Sequence, residues 1–142
     1  MQILRKLFVT AVLALGAAAV LPVTAQSRSP FSQPYSIILT DNRQSSDPNV
    51  IPVIINRVND QTIRSNPNEA VVPPGPQRVV VDVPPRRGFR LATQNTMDLV
   101  TEPCMRYFVN ARLDNKLTQG WEPFVRSTER IGECERRFNI TR

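Results

Sequence analysis

Two stretches of this chain alternate apolar and polar residues with a period of two, and that period constrains the fold more than any other feature. In residues 77–83 (QRVVVDV), Val79, Val81 and Val83 share one face, while Arg78 and Asp82 lie on the other beside Val80. In residues 105–113 (MRYFVNARL), Met105, Tyr107, Val109, Ala111 and Leu113 share a face, opposed by Arg106, Phe108, Asn110 and Arg112. Successive side chains of a strand point to opposite sides, so each run reads as a strand covered by a core on one side. Shorter apolar runs recur at 35–40, 50–58, 61–64, 70–72, 89–93, 97–100, 121–125 and 138–141. Beyond residue 25 no stretch offers three turns of amphipathic helical spacing. Ser127-Thr128-Glu129 could start a helical turn, but Gly132 leaves no room for a real helix. Short strands about ten residues apart predict an all-β fold, a small antiparallel β-sandwich or barrel.

Proline punctuates these runs. Pro52 places its strand at a sheet edge, because proline donates no ladder hydrogen bond. Pro73-Pro74-Gly75-Pro76 forms a rigid turn with one permissive glycine, and Pro84-Pro85 ends the valine strand. Asn59-Asp60 marks another turn, and residues 41–49 and 114–120 read as polar loops.

The first 25 residues read as an address. Arg5 and Lys6 supply a positive start, and residues 7–21 form an apolar, Ala- and Leu-rich run. Val23-Thr24-Ala25 then gives small residues before a cut between Ala25 and Gln26. That run falls short of the roughly twenty residues a membrane span needs. The expected organisation is a signal peptide at 1–25, a Ser/Pro/Gln-rich lead-in at 26–34 and one folded domain at 35–142. The 18 basic residues lose Arg5 and Lys6 with the leader, leaving 16 against 12 acidic ones, a net charge of +4. The expected location is the periplasm or the medium, with no transmembrane anchor in the mature form.

Both cysteines, Cys104 and Cys134, lie beyond the leader, and an exported chain with an even number of cysteines is expected to pair them. Closing a loop of thirty residues stabilises the fold by about 3–4 kcal/mol in the chain-entropy account. Composition excludes several chemistries outright. With no histidine in the chain there is no Ser-His-Asp or Cys-His machinery and no imidazole ligand. Two cysteines cannot build a four-cysteine metal site, and five glycines are too sparse for a phosphate-cradling loop. No cofactor or metal is implied.

The segments VIPVIINRVNDQTI, AVVPPGPQRVVVDV and LVTEPCMRYFVNA together have the layout of small exported bacterial modules. The chain resembles the PEGA-like β-sandwiches, which set a strand and an "ING"-type turn before a Pro-Gly turn, a valine-rich strand and a later strand with an aromatic ahead of a small residue. The matching positions are Ile54 to Asp60, Pro74-Gly75, Val79 to Val83, and Tyr107-Phe108 with Ala111, within residues 50–112. Asp60 stands where such modules have glycine, and Gln77-Arg78 where a histidine is common. The cysteine pair is not part of the pattern. The resemblance implies a PEGA-like or immunoglobulin-like sandwich and an envelope location, and no catalytic residues.

Candidate functional residues are few. Arg86 and Arg87 between Pro85 and Gly88, with Arg90 beyond, are the most concentrated positive charge without nearby acids. They are a candidate contact surface for phosphate groups or an acidic protein, or else a solubilising turn. Glu122, Glu129, Glu133 and Glu135 could in principle do general acid–base work, the basis of a last-ranked reading as an enzyme using carboxylates alone. They alternate, however, with Arg126, Arg130, Arg136 and Arg137, the pattern of a solvated, mutually neutralising surface. Trp121, Tyr107, Phe108 and Phe124 offer either an aromatic recognition surface or, for a lone tryptophan near a disulfide, core. Scattered aromatics and a small net charge argue against nucleic acid. The chain therefore reads as an exported, non-catalytic β-sandwich that binds an unknown protein or an anionic envelope component. Inhibition of an exported protease or lysozyme is the alternative, through Pro73–Pro76 or the segment 84–87.

Overall fold

The computed structural model describes residues 29–43, 45–84, 94–114 and 120–140. The alternating runs become strands of two sheets, of five and four strands, largely antiparallel, followed by one short helix. In the five-stranded sheet, here sheet A, β8 (Met105–Leu113) is central. Along one side it pairs antiparallel with β9 (Trp121–Arg130). Its other side is shared by β1 (Ser36–Thr40), which runs parallel to it, and β2 (Val50–Pro52), which runs antiparallel. Beyond β1 lies β5 (Glu69–Val72). Sheet B has the order β4 (Gln61–Thr62), β3 (Ile54–Val58), β6 (Gly75–Asp82), β7 (Gln94–Thr101).

The core lies between the sheets, where the two periods of alternation meet. Ile38, Val109 and Ala111 from sheet A meet Ile55, Val79 and Val81 from sheet B, all six fully buried. Trp121 joins them at 5% exposure, so it is core and not recognition surface. Gln77 is a polar residue on the inner face, and it is satisfied there. Its Nε2 donates to the Pro73 carbonyl at 2.8 Å, and its Oε1 accepts from Asn59 Nδ2 at 2.9 Å. Asn59, at φ 52°, supplies the left-handed turn between β3 and β4, a conformation asparagine tolerates better than most residues.

Several expectations are corrected. Residues 50–58 are two strands in different sheets, because the chain crosses over at the buried Val53 just after Pro52. Pro52 does lie on an edge strand. The turn at 73–76 is shorter than read: Gly75 and Pro76 already pair with Thr101 and Val100 in β7. β9 does not stop at Val125 but runs to Arg130, so 127–129 are strand and not a helix start. A bulge allows that extension: Ser127 faces Phe108, Val125 faces Val109, and Arg126 is the extra residue between them.

A helix, α1 (Gly132–Phe138), forms where no helix and then a terminal strand were expected. Gly132 costs little at a first helical position, and Asn139 closes the far end at φ 51°. Ile131, Cys134 and Phe138 pack over Ile37 and Leu39 on the outer face of sheet A, making a second apolar cluster. Cys134 is bonded to Cys104, both fully buried, with Cα atoms 5.4 Å apart. Seven residues are too few for a self-stable helix; the disulfide and this packing hold it.

Candidate functional site

The outer face of sheet A that α1 leaves uncovered carries an assembly of arginine, aromatic and carboxylate side chains. Alternation along β8 turns Tyr107, Val109 and Ala111 inward and Arg106, Phe108 and Arg112 outward, with Asn110 on their side of the sheet but buried. Directly opposite on β9 stand Glu129, Ser127, Phe124 and Glu122. Two arginines lie over the two outward rings: Arg43 is 4.8 Å from the Phe108 centroid and Arg112 is 4.5 Å from that of Phe124. Each such stack at a solvent-facing site contributes about 0.5–1 kcal/mol.

Asp41 organises the rest. It follows β1 at the gap where β1 leaves β8 and β2 arrives, and its backbone N–H donates to the Val109 carbonyl at 3.2 Å. Asn110, 1% exposed, fills the gap by donating from Nδ2 to the Asp41 and Ile51 carbonyls at 3.1 and 3.3 Å. The Asp41 side chain is 1% exposed. Its Oδ1 accepts from the Arg43 N–H and Nε at 3.0 and 2.9 Å; its Oδ2 accepts from Arg43 Nη2 and Arg126 Nη1, each at 3.2 Å. Arg43 Nη2 also donates to Ser127 Oγ at 3.4 Å. Burial pushes the Asp41 carboxyl up, but the hydrogen bonds from Arg43 and the charges of Arg43 and Arg126 outweigh it, and the group sits below its usual value. Arg126 reaches this carboxylate because it is the bulge residue. Both guanidiniums keep a solvent side, at 60% and 32% side-chain exposure.

The aromatic set read from the sequence is thus divided. Trp121 and Tyr107 face inward, and the Tyr107 hydroxyl accepts the Glu102 N–H at 2.7 Å where the chain crosses from β7 to β8. Phe108 and Phe124 face outward under arginines. The acidic set behaves as a neutralising surface: Glu122 and Glu129 stand opposite Arg112 and Arg106, and Glu135 pairs with Arg130 at 3.2 Å. Arg86, Arg87 and Arg90 lie outside the described residues, as do Ala25 and Gln26. Among the described residues no three cysteine or acidic side chains converge as a metal site would, and no helix is long and apolar enough to cross a membrane.

Asp41 and Arg43 escape sequence reading because they resemble an ordinary polar loop, and their partner Arg126 is 85 positions from Asp41. The only local signal is an Asp two residues before an Arg, the spacing of an Asx turn. Compared with protein-family models, curated proteins and solved structures, the chain gives no match in any of the three.

Proposed function

We propose that the protein is an exported, non-catalytic β-sandwich module that acts by binding, with an anionic envelope component as its partner. The observation that carries this reading is the pair of guanidiniums of Arg43 and Arg126, fixed by one buried carboxylate on a rigid sheet, beside Arg112 on Phe124. Arginine held this way loses little conformational freedom when it meets a phosphate or carboxylate. The disulfide supports an oxidising compartment. The PEGA-like or immunoglobulin-like kind of sandwich belongs to the same proposal, supported by two facing sheets and the left-handed turn at Asn59.

Vesicles of phosphatidylglycerol and phosphatidylcholine, against phosphatidylcholine alone, test the reading by co-sedimentation. Saturable binding to the anionic vesicles is expected, falling as salt rises and several-fold weaker in Arg112→Glu. Equal affinity for both vesicle types would remove the anionic partner. The double variant Arg86→Glu/Arg87→Glu, assayed alongside, reports whether that segment contributes.

A second reading, inhibition of an exported hydrolase, is favoured by the exposed Pro73-Pro74 turn. Thr101 Oγ1 donates to the Pro73 and Gly75 carbonyls at 3.3 and 3.2 Å, and Gln77 holds Pro73 as well. Assays against lysozymes and serine proteases at micromolar protein test it; unchanged hydrolysis would dismiss it.

A further inference from the structure

The sheet edges differ sharply in how they are guarded. β9 carries Pro123, the bulge at Arg126 and the charges of Glu122, Glu129 and Arg130. β2 ends in Pro52, β4 is two residues long, and β5 is four residues followed by Pro73-Pro74. These are the devices that stop an unpaired strand from recruiting another. β7 is neither short nor broken by proline or a bulge. Its eight residues pair with β6 in unbroken register from Gly75↔Thr101 to Asp82↔Gln94, and among the described residues it has no other ladder partner. It contains no proline, no bulge and no lysine or arginine, and Asp98 is its one charge.

Asn95 ties the start of β7 to the other sheet, its Nδ2 donating to the Trp121 carbonyl at 2.8 Å. The edge beyond it, from Thr96 to Thr101, remains. There the outward row is Thr96, Asp98 and Val100, and the inward row is the half-buried Met97 and Leu99. Val100 is 71% exposed beside a shallow groove of about 320 Å³ lined by Asn59, Pro76, Arg78 and Asp98.

We infer that the β7 edge accepts an added strand, and that the strand is an extended segment of another polypeptide, apolar at alternate positions, with a basic residue placed against Asp98. Two copies of this chain are the wrong occupant. Self-pairing centred on Asp98 sets two carboxylates face to face, and like charges directly opposite each other destabilise a strand pair. A foreign segment with Lys or Arg opposite Asp98 meets a complementary charge, since Asp98 is 77% exposed and its pairing with Arg78 at 3.2 Å is in water. Its alternate apolar residues extend the inward row of Met97 and Leu99, and the residues between them, the basic one included, lie on the outward side with Asp98 and Val100. Main-chain hydrogen bonds supply the affinity and the two rows the selectivity. This surface belongs to sheet B and does not depend on the anionic-partner reading of sheet A.

The test uses the full mature chain and a synthetic heptapeptide of alternating Val and Thr with a central Lys. Saturable binding is expected, with amide hydrogen exchange slowed at Thr96 to Val100 and unchanged along β9. A Glu-centred peptide should bind about two- to five-fold more weakly, the range of one cross-strand charge pair. N-methylation of the alternate peptide residues whose N–H groups face β7, which removes the ladder hydrogen bonds, should abolish binding. Val100→Lys, at an exposed position, sets a like charge diagonal to the peptide lysine and should weaken binding about two- to five-fold while leaving the melting temperature unchanged. No protection at β7, or equal binding by the N-methylated peptide, overturns the inference. Protection of β7 that grows with protein concentration and without peptide would overturn the choice of occupant in favour of a second copy.

Discussion

At the scale of single residues, Asp41 shows how a buried charge is made tolerable. Its carboxylate is out of water while both partners keep contact with it, so the desolvation cost falls on one ion and four charge-assisted or amide hydrogen bonds offset it. Asp41→Asn should therefore cost about 1.5–3 kcal/mol at neutral pH, the range for hydrogen bonds to charged groups, read from urea midpoints. The sign of its pH dependence follows from the lowered carboxyl. Asp41 contributes its stability above the ordinary value of 3.8 and loses it as the pH falls through the still lower folded value. The gap between the parent protein and Asp41→Asn should hold from pH 6 to about 4 and close below it; a gap that widens on acidification would contradict the assignment. None of this is visible in the sequence, because the network joins a loop to a bulge residue 85 positions away. Trp121 and Tyr107 were readable, since large apolar area in a chain of this size goes to the core.

At the scale of elements, alternation told the truth where one face is buried and failed where the chain changes sheet or period. β6 and β8 stand where their patterns put them. The run at 50–58 carries a continuous apolar stretch through the crossover, so nothing in its period marks the break at Val53. α1 was missed because it is only two turns long and begins at Gly132, too short for its Glu and Arg residues to show a helical period; tertiary restraint makes the helix. That origin predicts its behaviour. Replacing Cys104 and Cys134 with Ser should cost about 2–4 kcal/mol and should raise hydrogen exchange first in residues 132–138. Ile38 and Val109, inside the other cluster, should keep their protection until global unfolding. Exchange rising uniformly across both sheets would mean that the helix is not a separate unit.

At the scale of the whole molecule, the two sheets present different surfaces: a fixed arginine-aromatic face on sheet A and an open edge on sheet B. The two binding experiments separate them, since salt and Arg112→Glu act on the first, and Val100→Lys on the second.

The place of β1 has one more consequence. This strand is the first of the described strands to be synthesised, yet it lies between β5 and β8, and its parallel neighbour Arg106–Val109 is made some seventy residues later. Until then a stretch reading SIILT, buried at four of its five positions in the finished protein, can be covered on the β5 side alone. Pairings so distant along the chain form slowly and leave apolar segments open to the wrong company. Newly made chains should therefore gain most from a holding chaperone in the interval before residue 113 emerges, and a rearranged gene that places β1 after β8 should fold faster and clump less.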